Sequence, residues 1–167
     1  MSLSGKVNEA ASPIASLEEA AQHKPIVRKP FPTPIQNRSP ISGASSQSLL
    51  RTCFRIGEAI NAASRAAKSQ QNIILETYAR VTHSFRDERT QHFEFKDLYH
   101  DRPPYVTGTY RLWNHSKQWA KESAVFLGSK GLLCRAMARM REDRTLEVLR
   151  INQVSWEDIE LISMIYT

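Results

Sequence analysis

The amino-acid sequence predicts a mainly β protein: a small β-barrel with a C-terminal helix, preceded by a disordered tail. Three observations lead there. Six of the eight prolines lie within residues 1–47, at Pro13, Pro25, Pro30, Pro32, Pro34 and Pro40. Several later stretches alternate apolar and polar side chains with the period of two that a half-buried strand requires. The last apolar segment is headed by Ser155-Trp156-Glu157-Asp158, a helix-start signal.

At 167 residues, the chain has room for one compact domain and a tail. We place the boundary between residues 47 and 48, so that the barrel domain covers 48–167. Phe31 is the tail's one aromatic among many Ser, Ala and Gln, too little apolar surface to offset the entropy of ordering. A short helix near "SLEEAAQH", started by Ser16, is marginal alone. "KPIVRKPFPTPIQNRSPISG" is basic, proline-rich and extended. It reads as a spacer, or as a docking strand anchored by Phe31, Ile35 and Ile41. Thr33-Pro34 and Ser39-Pro40 have the form that proline-directed kinases use.

The elements follow in order. "LLRTCFRIGEAINAASRAAK" starts apolar and ends Ala-rich, as a strand passing into a helical turn would. "NIILETYARVTHSFR" places Leu75, Ala79, Val81 and Phe85 on one face, with Glu76, Arg80, Thr82 and Ser84 on the other. "DERTQ" is a polar turn, and "HFEFKDL" returns with Phe93 and Phe95 on a common, core-facing side, completing a hairpin. Pro103 and Pro104 then take the chain out of the sheet, because neither can donate a ladder hydrogen bond. The stretch from Tyr105 to Lys121 reads as a long excursion carrying Trp113 and Trp119. "LLCRAMARMRED" fits a strand and also a helical stripe. The branched residues of "TLEVLRINQV" and the short turn "EDR" favour a second hairpin. In the closing helix Ser155 and Asp158 form a capping box, and Ile159, Ile162 and Tyr166 form the inward stripe.

Composition bounds the function. Lys and Arg outnumber Asp and Glu by 23 to 17, a net charge of +6 that favours an acidic or phosphate-bearing partner. Cys53 and Cys134 lie far apart in apolar surroundings and read as buried thiols of a reducing compartment, with a single disulfide as the alternative. Neither cysteines nor histidines have metal spacing. No apolar run has the length of a membrane span, and the amino terminus lacks signal-peptide character. The chain reads as soluble and intracellular, with no membrane partner and no cofactor.

"TCFRIGEAIN" at 52–61, "LETYARVTHSFR" at 75–86, "HFEFKDLYHDRPPY" at 92–105 and "CRAMARMREDRTLEVLRINQVSWEDIE" at 134–160 together resemble an OB-fold domain of fungal nuclear, DNA-associated proteins. The resemblance covers roughly 48–167. It implies a five-stranded, partly open barrel that binds single strands or another protein, in the nucleus and in DNA replication, repair or telomere maintenance. The long, Trp-bearing 103–121 segment departs from the plain pattern.

Two sets of residues suit a single-stranded nucleic acid, DNA in the first instance. Arg135, Arg139 and Arg141 point one way along a strand, with Arg144 in the following turn and Arg150 on the neighbouring strand. Together they could neutralise phosphates. Tyr99, Tyr105, Tyr110 and Trp113 lie outside regular alternation beside His100, Arg102 and Arg111, where aromatics could stack bases. The competing readings are a solvated basic face and an ordinary core. Trp156, Leu161, Met164 and Ile165 widen the apolar surface of the last helix beyond one stripe, which suits docking on a partner subunit or packing on the chain's own barrel. No catalytic residue is assigned. Glu94-Phe95-Lys96 with Asp87 has the Glu-x-Lys form of a metal-dependent nuclease strand, a minor alternative without the expected βαβ surroundings.

Overall fold

A computed structural model describes residues 33–34 and 48–166. Apart from Thr33–Pro34, the expected disordered tail, its "SLEEAAQH" helix and its Ser39-Pro40 pair lie outside the described residues. Seven strands form one sheet among the described residues: β1 (Thr33–Pro34), β2 (Leu49–Cys53), β3 (Ile73–Arg86), β4 (Gln91–Lys96), β5 (Val106–Tyr110), β6 (Leu132–Met140) and β7 (Leu146–Gln153). The helices are α1 (Ile56–Lys68), α2 (Lys117–Ala124) and α3 (Trp156–Tyr166), with a 3-10 turn at Leu112–Asn114.

Five of the strands close on themselves. Their order is β3-β4-β5-β7-β6, and β6 pairs back onto β3 over Leu75–Val81 and Leu132–Ala138. All neighbours are antiparallel except β5 and β7, which run parallel. A five-stranded Greek-key barrel of this kind is the OB fold. β2 adds to the barrel parallel to the start of β3, with α1 as the crossover helix that a parallel pair needs.

Inward positions account for the strands. Leu75, Ala79 and Val81 of β3, Phe93 and Phe95 of β4, Cys134, Ala136 and Ala138 of β6, and Val148 and Ile151 of β7 fill the barrel. Fully burying a side chain such as Phe95 contributes about 1.5–3 kcal/mol. α1 is a 13-residue helix, longer than the expected turn. Its Ile56, Ala59, Ile60 and Ala63 recur at helical spacing and pack on that core. Its amino terminus borrows a cap: Ile56 N–H donates to Asp97 Oδ1, 41 residues downstream, at 3.1 Å.

Two corrections follow from non-local packing. The excursion from Tyr105 to Lys121 is ordered as β5, the 3-10 turn and α2. Val106, Gly108 and Tyr110 of β5 face inward, and a Cβ on Gly108 would lie 2.7 Å from Phe95 Cε2, so glycine admits the close approach. Phe85 does not continue the inward face of β3. Between Val81 and His83 the β3–β4 register shifts by one residue, an extra-residue bulge that reverses which side chains point in. Ser84 is consequently buried and Phe85 is 48% exposed.

The capping box of α3 forms as the sequence predicts, Ser155 N–H donating to Asp158 Oδ2 and Asp158 N–H to Ser155 Oγ. α3 lays Trp156, Ile159, Ile162 and Tyr166 on a second cluster outside the barrel, built from Phe54, Tyr78, Leu98 and Leu133. Cys53 and Cys134 are buried free thiols, and burial raises the Cys134 thiol to about 12.

Candidate nucleic-acid interface

In an OB barrel, oligonucleotides lie across the second and third strands, flanked by the loops joining strands one to two and four to five. Here those strands are β4 and β5, and the loops are residues 87–90 and 141–145. The outward side chains follow from register. Phe85, His92, Thr109, Glu147 and Arg139 are successive cross-strand partners around the barrel, on β3, β4, β5, β7 and β6. Two residues along, His83, Glu94 and Thr107 form a second row. Lys96 and Tyr105 lie beyond it, the ammonium 5.2 Å from the ring centroid. At about 3.3 Å per residue, the face from His92 to Lys96 is about 13 Å long.

The aromatics on this face are accessible. Phe85 stacks on His92 with centroids 4.6 Å apart and planes 13° apart. Tyr105 is 49% exposed, and its hydroxyl donates to Asp101 O at 2.6 Å, which fixes the ring at the face's edge. Arg80 shapes the loop that carries it. Its guanidinium donates to Asp97 O, His100 O and Asp101 Oδ1 at 2.7, 2.8 and 2.5 Å.

The face also carries acid. Asp87 accepts Arg89 N–H and Thr90 N–H through Oδ1 and meets His92 Nε2 at 2.7 Å. The His92 hydrogen bond first, and then the two amides, hold its carboxyl down at about 2. Glu94 accepts the Thr82 hydroxyl at 3.0 Å. Both carboxylates of the Glu-x-Lys arrangement are thus engaged by the hairpin. No group of three or more His, Cys, Asp or Glu is placed to hold a metal among the described residues.

The arginines expected to form one stripe are dispersed. Arg135 donates twice to Glu76 Oε2, at 3.0 and 2.6 Å, and the buried Glu76 also accepts the Thr52 hydroxyl. Burial opposes the guanidinium charge, but the Glu76 carboxylate outweighs it and holds the Arg135 pKa above its ordinary value. Arg150 turns to α2, paired with Glu122 at 3.0 Å and 5.6 Å from the Trp119 ring centroid. Arg139 keeps its place on the outer row. Arg141 lies in the β6–β7 turn, not on the strand, where its N–H meets Thr145 O, and exposed Arg144 takes a φ of 63°.

The loop aromatics also separate. Tyr110 is fully buried in the barrel and is excluded as a stacking platform; burial pushes its hydroxyl up to about 12. Tyr99 packs beside Trp156, with Arg55 5.2 Å from its ring centroid, and burial raises it to about 12. Trp113 is covered by Arg86, 3.9 Å from its ring centroid, and its indole N–H donates to Arg89 O. Arg102 and Arg111 are exposed. Tyr105 alone of the four reaches the face, where Phe85 and His92 join it. Sequence alternation had assigned Phe85 to the core, and only the bulge reveals it.

α3 presents the other accessible surface. Trp156 is 6% exposed and belongs to the chain's own packing, whereas Leu161, Met164 and Ile165 are 62%, 75% and 73% exposed. Glu157, Asp158 and Glu160 are exposed on the same helix.

No family model matches the chain. Over 72 residues it is 38% identical to the meiotically up-regulated gene 37 protein of Schizosaccharomyces pombe, a match spanning 43% of this chain and 33% of that relative's length. Among solved structures, it is similar to yeast Stn1 and Ten1, with a TM-score of 0.45 and 12% identity over 69% of this chain and 87% of the other. The Schizosaccharomyces pombe Stn1–Ten1 complex gives 0.40 and 8%, over 55% and 65% of the two chains. An aspartyl-tRNA synthetase from Leishmania major gives 0.40 and 14%, over 70% and 23%. The OB assignment rests on the strand pairings themselves.

Proposed function

We propose that the chain is a non-catalytic OB-type module of nuclear DNA maintenance that holds a single strand, DNA in the first instance, on the outer face of β3, β4 and β5. The observation that carries this reading is the exposed Phe85–His92 stack, lying where an OB barrel receives a strand, with Tyr105 and Lys96 at the far end of the same face. Arg89, Arg139, Arg141 and Arg144 supply cations from the flanking turns and the outer row. Asp87, Glu94 and Glu147 oppose phosphates, so base stacking contributes more of the affinity than charge does. Fold alone does not select this function over partner binding. The test is fluorescence anisotropy of a labelled single-stranded oligonucleotide at two salt concentrations. Binding that tolerates base sequence and weakens with salt supports the reading, and no binding at low salt rejects it.

A second reading has its own observation. The exposed apolar stripe of Leu161, Met164 and Ile165 on α3 supports docking onto another subunit of such an assembly. Replacing all three by Glu leaves the barrel folded and abolishes subunit recovery if this surface docks.

A further inference from the structure

We propose that a groove along α1 is a docking site for an extended, acidic-ended segment of a partner polypeptide, separate from the β3–β4–β5 face. The groove has a volume of about 890 Å³, and its lining follows α1 from Gly57 in the first turn to Lys68 in the last. The β4–β5 loop borders it through Asp97, His100 and Pro104, and the start of β3 through Ile73. A space of that size is in the range that holds a ligand.

The space is built into the helix. A Cβ added at Gly57 would meet no atom within 4 Å, so no neighbour requires glycine there, although glycine disfavours a helix. Ala62 and Ala66 continue the lining along α1, with Ile73 and Pro104 supplying apolar surface from the other borders. Among the described residues that line it there is no Phe, Tyr or Trp, so a nucleic-acid strand would find no ring on which to stack its bases. The 13 residues of α1 span about 20 Å, room for about six residues of extended polypeptide.

Charge selects the ligand. Both carboxylates of the lining are engaged by the chain itself. Glu58 accepts Phe54 N–H at 3.1 Å, and Asp97 accepts Ile56 N–H, Tyr99 N–H and Arg55 Nε–H. Arg65 and Lys68, at the far end of α1, are exposed and form no ion pair among the described residues. Arg55 bonds Asp97 through Nε, and its side chain is 32% exposed. Cationic groups therefore stand at both ends of a trough whose middle is apolar. A ligand with carboxylates at each end and apolar side chains between them complements it.

The test titrates the full chain into a fluorescein-labelled peptide of about eight residues, paired Glu at each end and Ala-Leu-Leu-Ala between them, and reads anisotropy. The peptide binds the unmodified chain and shifts the backbone amides of Ala62, Arg65 and Ser69, leaving Phe85 and His92 unmoved. Arg65→Gln with Lys68→Gln, and separately Gly57→Gln, which fills the open space, each weaken binding about tenfold or more without lowering thermal stability. Arg139→Gln with Arg141→Gln does not weaken it, and a peptide with Gln in place of its leucines binds less tightly. No binding, unchanged affinity in Gly57→Gln, equal loss from the Arg139 and Arg141 substitutions, or equal affinity for the glutamine peptide overturns the proposal. So do shifts at the same α1 amides when a single-stranded oligonucleotide replaces the peptide. The peptide titration contains no nucleic acid, so its failure is distinct from failure of the strand reading.

Discussion

Phe85 and His92, opposite one another on β3 and β4, stack with ring centroids 4.6 Å apart on the outside of the barrel, whereas Phe93, the next residue along, is buried inside it. Phe85 is half exposed, so truncating it removes little core. Phe85→Ala should leave thermal stability within about 1 kcal/mol. It should weaken oligonucleotide binding by about 1–3 kcal/mol, the range for one stacked base. The comparison is thermal unfolding beside anisotropy on one preparation. Equal losses of stability and affinity would point to a structural role instead.

Arg135 and Arg139 share the outer face of β6 and should answer substitution differently. Arg135→Ala leaves the buried Glu76 carboxylate without its guanidinium. Breaking a buried pair costs about 3–5 kcal/mol, and with Arg135 37% exposed a loss of about 2 kcal/mol is expected. Its effect on affinity should be small once the folded fraction is accounted for. Arg139→Glu with Arg141→Glu should weaken binding across all sequences and flatten its salt dependence.

Tyr110→Phe tests the burial of a residue whose position in the sequence suited a groove. The Tyr110 hydroxyl is buried with no hydrogen-bond partner among the described residues. Removing an unpartnered buried hydroxyl should be neutral or stabilising by up to about 1 kcal/mol, with affinity unchanged. Chemical denaturation of the two proteins checks it, and a clear loss of stability would contradict the packing.

Asp87 gives the loop between β3 and β4 an acid limit. Its carboxyl titrates at about 2, below its ordinary 3.8, because His92 and two backbone amides bond its charged form. A depressed carboxyl pKa stabilises the fold at pH above the ordinary value and loses that contribution as pH falls through the folded one. The Arg89 and Thr90 amide resonances should therefore hold steady down to about pH 4 and shift with a midpoint near 2. A midpoint near 4 would show that the turn bonds are absent.

The sequence was most legible where structure depends on neighbours along the chain. Alternation locates β3 and β4, the polar turn after Arg141 separates β6 from β7, and Ser155 with Asp158 starts α3. What it conceals depends on distant contacts. β5 follows Pro103-Pro104 and holds a glycine, and becomes a strand because Val106 and Tyr110 complete the core between β4 and β7. The face that Phe85 joins is set by one extra residue near Thr82, which no local pattern announces. Arg135 reads as a free cation until Glu76, 59 residues away, lies beside it. Two candidate stretches, one of arginines and one of aromatics, were thus visible, while the accessible face draws only part of each and adds Phe85 and His92.

A single strand bound as proposed lies on the β3–β4–β5 face. Titrating a short single-stranded oligonucleotide into the isotopically labelled protein, and following each backbone amide, tests it most directly. Shifts are expected at Phe85, His92, Lys96, Tyr105 and Thr107, with Leu161 and Met164 of α3 unmoved. Shifts confined to α3, or none at low salt, would contradict it.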